Sequence, residues 1–217
     1  MAKQAISTPV IRRLPRYYRF LGELELEDME RISSKELARR MGLSASQIRQ
    51  DFNCFGGFGQ QGYGYNISEL REKIGMILGV NERTGVILIG AGNLGKAIAT
   101  HLDFQKRGCE LIGIFDNNPD LHGVNTAGLP ILPMEELSAF CRKHKPQVAV
   151  LTIPKGAAQE LADQLISLGI CGFWNFSHFD LRINNPHIIV ENVHLGDSLM
   201  TLAYCMHRGE GCDTPKE

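Results

Sequence analysis

The residues with the clearest chemical meaning are Gly90, Ala91, Gly92, Asn93, Leu94 and Gly95. They leave the apolar run Val86–Ile89 and open a stretch of helical character. A GxGxxG spacing in a strand–turn–helix setting suits a dinucleotide, because the turn lets backbone approach a pyrophosphate held at a helix N-terminus. A second apolar run, Leu111–Phe115, ends in Asp116, 21 residues beyond Gly95. A carboxylate there accepts hydrogen bonds from both ribose hydroxyls and repels a 2′-phosphate. Asn117 and Asn118 follow it, with no arginine to hold that phosphate. The pattern therefore predicts NAD(H) over NADP(H). A glycine turn in a non-binding α/β domain and a coenzyme A site remain as alternatives.

A second constellation lies upstream. Residues 1–80 hold 12 Lys and Arg against 9 Asp and Glu, while residues 81–217 hold 11 against 15. Residues 1–19 carry five basic groups and no acid. A basic arm on a nearly neutral chain is the footprint of a nucleic-acid partner, or of a solvated helix face. The local grammar favours the former. Ser33–Glu36 and Ser44–Gln47 each have capping-box spacing, and Gly42 separates the two helices they open. Helix, short glycine turn and capped helix make a helix-turn-helix. Its reading residues are expected at the start of the second helix: Ala45, Ser46, Gln47, Arg49 and Gln50. Arg49 can address guanine and the glutamines adenine. Lys35, Arg39 and Arg40 are placed for phosphates. The glycine-rich stretch Phe55–Tyr65 reads as a β-hairpin wing, with Gln60 and Gln61 at its tip and Tyr63 on its return.

These sites need particular elements to hold them. Helices are expected over residues 12–26, with Pro15 in the first turn, and over 68–79, 94–107, 134–144, 157–168 and 197–207. Strands are expected at 86–89, 110–115, 148–152, 172–175 and 188–193. Alternating strand and helix implies a parallel sheet covered on both faces. The fold class is thus α/β: a winged-helix domain over 1–80, a Rossmann domain over 81–196, and a C-terminal helix and tail over 197–217.

Composition excludes other classes. Of the 217 residues, 43% are hydrophobic and 22% charged, so the chain has enough apolar material for a core. No apolar run is long enough for a membrane span and no secretory signal precedes the first helix, which points to the cytoplasm. The six cysteines form no CxxC pair and read as buried reduced thiols, with Cys212 in the polar tail the one expected to be most exposed, so no metal is expected. None of the seven histidines falls in a catalytic motif, and no substantial catalytic domain follows the nucleotide fold. Binding without turnover is the economical reading. The competing one is a small NAD-dependent oxidoreductase with an N-terminal oligomerisation module.

Seven segments, in order, resemble the Rex family of bacterial redox-sensing repressors. They are Leu14–Phe20, Gln47–Phe52, Phe55–Tyr65, Gly90–Gly95, Phe115–Asp116, Leu151–Pro154 and Trp174–Phe176. The resemblance implies a homodimer with a swapped C-terminal helix, bound to a palindromic operator and released by NADH. It places Thr152, Ile153, Pro154, Asn175 and Phe176 near the nicotinamide. An apolar pocket there favours the neutral ring of NADH over the charged ring of NAD+. Gln50 departs from the basic residue of the family's recognition helix, and Gln60 and Gln61 depart from an often basic wing. Arg19 matches the arginine of the family's interdomain switch, whereas His101 and His194 stand where it has tyrosine and aspartate.

Overall fold

The computed structural model describes residues 6–56 and 63–208. The chain forms two compact units. One comprises the residues up to Gly79 with those from Met200, and the other is Val80–Leu199.

The first unit begins with α1, Thr8–Leu26, one turn earlier than its apolar spacing predicts. Pro9 occupies the first turn, and Pro15 sits inside the helix. Pro15 is exposed, and its ring removes one rung of the helical ladder. Leu14, Tyr17, Leu21 and Leu24 on the other face are buried and carry the element regardless. A two-residue strand β1, Arg31–Ile32, then leads into α2, Ser34–Met41, and α3, Ala45–Asn53. Both predicted caps form: Ser33 Oγ accepts from Glu36 N–H and Ser44 Oγ from Gln47 N–H, each at 3.1 Å. Gly42 ends α2 in the left-handed region at φ 66°. Of the glycine-rich stretch, 57–62 lies outside the described residues. Its return, β2 (Tyr65–Asn66), pairs antiparallel with β1, and α4 (Ile67–Leu78) follows. One apolar cluster joins α1 to α4.

What sets α3 against α1 is a polar contact. Asp51, on α3, is 1% exposed. Arg13 donates to both its oxygens, Nε to Oδ2 and Nη2 to Oδ1, each at 2.7 Å. Tyr17 OH donates to Oδ2 at 2.7 Å and Gln47 Nε2 to Oδ1 at 2.8 Å. Tyr17 also meets Phe52 edge-on, with ring centroids 5.0 Å apart.

The second unit is a seven-stranded sheet. Its strands are β3 (Thr84–Ile89), β4 (Cys109–Asp116), β5 (Asn125–Thr126), β6 (Leu129–Pro133), β7 (Val148–Leu151), β8 (Gly172–Asn175) and β9 (Ile189–Asn192). They lie in the order β5-β6-β4-β3-β7-β8-β9, all parallel except the β5–β6 hairpin, which the strand reading missed. Two apolar clusters flank the sheet. One packs α6 (Leu137–His144) and α7 (Lys155–Ser167) on one face; the other packs Ala99 of α5 (Asn93–His101) against Val86 and Leu88. The helix expected over 94–107 stops at His101, because Leu102 is extended and a short 3-10 turn at Gln105–Arg107 follows. A 3-10 turn at Met134–Glu136 likewise precedes α6.

The cysteines correct the sequence expectation. Cys141 is buried and Cys109 half-buried, but Cys54 and Cys171 are exposed, and Cys205 is not a free thiol. Cys212 lies outside the described residues. The last helix, α8 (Leu195–Arg208), has no buried residue; Leu199, Met200 and Met206 are each about two-thirds exposed or more.

Burial alone would raise the pKa of Asp51, but hydrogen bonds from Arg13, Tyr17 and Gln47 together outweigh it and lower it. A carboxyl with a depressed folded pKa contributes stability that is present above its unfolded value, near 3.9, and is lost as pH falls through the folded pKa. The first unit should therefore lose stability below about pH 4. Asp51→Ala strands Tyr17 OH and a partly exposed Arg13, and should cost about 2–4 kcal/mol. Urea denaturation followed by circular dichroism at pH 7 checks this; a cost under about 0.5 kcal/mol, the usual range for a surface change, would contradict it.

Candidate functional site

The glycine turn is built by close approach. Gly90 leaves β3 at φ 97°, and a Cβ there would stand 2.6 Å from the Thr152 carbonyl oxygen. A Cβ on Gly95 would overlap the Gly90 carbonyl oxygen and crowd Thr152 Oγ1. Thr152 Oγ1 in turn donates to Gly90 O at 2.6 Å, tying the start of the turn to the end of β7. Gly92, by contrast, caps α5 with open space where its Cβ would be. Asn93 and Leu94 open the helix, exposed, and no acidic residue occupies its first turn. The N–H groups of that turn thus face an unobstructed opening suited to an anion.

Asp116 ends β4 beside this turn and is 8% exposed. Its Oδ2 accepts from Ala91 N–H at 2.5 Å and its Oδ1 from Asn118 N–H at 2.7 Å. The carboxylate therefore shapes the turn while keeping lone pairs for a ligand.

A cleft of about 490 Å³ runs past Gly90, Gly92 and Asp116. Thr152, Ile153 and Pro154, which the family resemblance places near the nicotinamide, form one wall of this cleft. The other wall was missed: Ala157, Glu160, Leu161 and Gln164, at helical spacing on α7, with Asn117 and Met134. The signal was present, since these four positions lie three and four apart directly after Pro154.

Asn175 and Phe176 end β8 at the same edge of the sheet but do not line this cleft. Asn175 Nδ2 donates to Phe179 O at 2.6 Å and to Asn192 Oδ1 at 2.8 Å, and so closes the loop that follows β8. Phe176 meets Trp174 edge-on at 4.7 Å within the core.

The predicted switch residues are in varied settings. His194 Nε2 lies 2.7 Å from Asp180 Oδ1. That hydrogen bond raises the His194 pKa and outweighs desolvation, which lowers it; the charges of Asp180 and Asp197 add to the rise. His101 is exposed at the end of α5, and no side-chain bond joins it to His194. Arg19 is exposed on α1.

On the helix-turn-helix, Lys35, Ser46, Gln50 and Tyr63 are exposed. Arg49 is exposed too, with Nη1 3.3 Å from Ser34 Oγ. Gln47 is the exception, half-buried and committed to Asp51. Arg39 grips Glu36 with two hydrogen bonds, at 2.6 and 2.9 Å, and Arg40 bridges Glu36 and Glu27. Arg39 and Arg40 together hold the Glu36 carboxyl down to about 2. Gln60 and Gln61 lie outside the described residues.

Comparisons with known proteins agree on both units. Residues 5–53 match a family described as "Putative DNA-binding protein N-terminus", and residues 81–179 one described as "CoA binding domain". The redox-sensing transcriptional repressor Rex of Thermoanaerobacter sp. (strain X514) is 50% identical over 208 residues, 96% of this chain and 92% of its own. Rex of Clostridium botulinum (strain Eklund 17B / Type B) is 48% identical over 203 residues, 94% of this chain and 96% of its own. Among solved structures, RSP in complex with β-NAD+ and operator DNA is 48% identical, with a TM-score of 0.88 over 95% of this chain and 94% of its own. RSP in complex with β-NADH is 46% identical, with a TM-score of 0.87 over 95% and 96%. With relatives this similar along nearly its whole length, and a helix-turn-helix joined to a glycine-turn cleft, the chain belongs to the Rex family of redox-sensing transcriptional repressors.

Proposed function

We propose that this chain is a repressor that binds a palindromic operator as a homodimer and releases it when NADH occupies the cleft. It is a regulator rather than an enzyme. The observation that carries the reading is the glycine turn itself, held by Asp116 and Thr152, with the open N-terminus of α5 behind it. Gly90, Ala91, Gly92, Asn93, Leu94 and Gly95 would hold the pyrophosphate, Asp116 the adenosine ribose, and Thr152, Ile153 and Pro154 the nicotinamide half. Asn175 and Phe176 support that half from behind. The same carboxylate disfavours coenzyme A, whose adenosine ribose carries a 3′-phosphate, despite the description of the family matched at 81–179. Crystallised relatives with bound NAD+, NADH and operator DNA support the ligand assignment.

In the DNA reader, Gln50 and Ser46 are exposed to meet base edges, and Arg49 does so by leaving Ser34 Oγ. Gln47 acts through Asp51 by positioning α3. Lys35 meets phosphate directly, whereas Arg39 does so by exchanging Glu36 for it. Gln60, Gln61 and Tyr63 belong to the wing. The exposed apolar face of α8 suits a second copy of the chain. The site of action under this reading is the cytoplasm, where operator DNA and the NADH pool meet.

Linkage sets the size of the effect. A hundredfold weakening of DNA binding by NADH requires a coupling of about 2.7 kcal/mol, and DNA must weaken NADH binding by the same factor. Titration of the protein into a palindromic operator pool, with NADH and NAD+ added separately, tests this. Release by NADH alone is expected; turnover of a substrate, or indifference to both nucleotides, would sink the reading.

Gly95→Ala forces the turn open, so NADH affinity should fall at least about tenfold, the loss of one or two charge-assisted hydrogen bonds. DNA affinity without nucleotide should change little. A calorimetric titration showing wild-type NADH affinity in this variant would contradict the pyrophosphate assignment.

His194 supplies a pH signature; Arg19 and His101 are the other residues proposed for the switch. Its folded pKa is raised, so the charged pair with Asp180 is complete below the unfolded value near 6.5 and is lost as pH rises through the folded pKa. The NADH concentration for half-release should therefore vary as pH rises above about 6.5. In His194→Asn it should be flat over that range, and a flat wild-type profile would remove His194 from the switch.

A further inference from the structure

The loop that follows β8 leaves one group unexplained. Ser177 is 2% exposed, and its Oγ is buried without a hydrogen-bond partner. The other such atom among the described residues is Arg71 Nε. It belongs to a guanidinium already paired with Glu25 and stacked on Tyr18. Ser177 has no such account. A hydroxyl can donate one hydrogen bond and accept two, and leaving them all unmade in an interior opposes folding. Alanine would occupy the same space without that cost.

The surrounding loop holds this hydroxyl in place. Ser177 N–H donates to Asn175 Oδ1 at 3.1 Å. Asn175 Nδ2 spans to Phe179 O and Asn192 Oδ1, and Asn192 Oδ1 also accepts from Leu181 N–H at 3.3 Å. The next residue, His178, lies in the left-handed region at φ 54° without being glycine. An orphan hydroxyl and an unfavourable backbone conformation at adjacent positions mark a place shaped for something other than stability.

Sheet topology says what that place faces. Phe176 N–H donates to Leu151 O at 2.8 Å, so the pairing of β8 with β7 continues past Asn175. Continued two residues beyond the Leu151–Asn175 pair, that register sets Ser177 level with Ile153; Ile153 lines the cleft, and Ser177 lies behind it. Asp116, at the end of β4, lies on the opposite side of β3. A dinucleotide whose pyrophosphate sits at the turn after β3 extends one nucleoside toward β4 and the other toward β7 and β8.

We propose that Ser177 Oγ contacts the ligand, meeting the carboxamide of the nicotinamide. A carboxamide offers both an acceptor oxygen and a donor nitrogen, so it can satisfy a hydroxyl in either direction. The assignment rests on the dinucleotide reading above and adds a residue that discriminates the redox-active end of the ligand.

The test compares wild type with Ser177→Ala in calorimetric titrations of the full-length protein with NADH and, separately, with ADP-ribose, which lacks the nicotinamide. Ser177→Ala should bind NADH about three- to tenfold more weakly, the loss of one hydrogen bond, and ADP-ribose as the wild type does. Its Tm without ligand should be unchanged or raised by up to about 4 °C, because an unsatisfied buried group has been removed. Ser177→Cys, which keeps the bulk but donates weakly, should resemble alanine in NADH affinity. Unchanged NADH affinity in Ser177→Ala overturns the proposal and leaves the dinucleotide reading standing. So does a lowered Tm with equal losses for both ligands, which would mean that the hydroxyl serves the fold. Failure of the wild type to bind either ligand overturns both.

Discussion

The contact between Gly95 and the carbonyl of Gly90 governs the nucleotide half of this protein. Helix α5 can begin where it does only because nothing projects from Gly95 into the turn that precedes it. Thr152 bonds the same carbonyl, so the end of β7 is set by the same contact. From there the wall Thr152–Pro154 and the start of α7 follow. Asp116 completes the frame through Ala91 N–H. The cleft is thus assembled from backbone held at van der Waals limits, and under the function proposed above its polar groups are in place before an anion and a ribose arrive. Preorganisation of this kind lowers the ordering cost of binding.

The DNA-reading half uses a different device. Asp51 is a buried carboxylate satisfied by Arg13, Tyr17 and Gln47, and it fixes α3 against α1 through directional bonds. Apolar packing alone tolerates sliding more readily than a forked pair does. Two arginines of α2 are also held before any DNA arrives, by Glu36 and Glu27. A phosphate reaching Arg39 must displace a carboxylate already in place. The net electrostatic gain there is the difference between two anions.

Local features were legible in the sequence and long-range ones were not. Both serine caps, Gly42 and the glycine turn after β3 are decided within six residues, and each forms as its spacing predicts. The parallel order of the long strands follows from alternation with helices. Asp51 was read only as part of a motif, because a carboxylate beside Arg49 and Gln50 looks like a solvated residue until Arg13 is folded onto it. Gln47 was assigned to bases for the same reason. The early start of α1 was hidden because Pro15 reads as a first-turn residue, and the buried stripe from Leu14 to Leu24 overrides it. The α7 wall escaped because its residues are unremarkable singly, and their three- and four-residue spacing after Pro154 also fits an ordinary helix face.

Helix α8 has a consequence for how much of this protein a cell must keep. Fourteen residues with no burial inside their own chain are near the length at which an isolated helix is marginal in water. In the homodimer proposed above, that helix gains its packing from a second subunit, so its ordering and subunit association are one equilibrium. At low copy number the second copy becomes scarce, and operator occupancy falls with the square of abundance rather than in proportion to it. A gene under such control would respond to growth dilution and protein turnover as well as to nucleotide, and the repressor's own expression level becomes part of the sensor's set point.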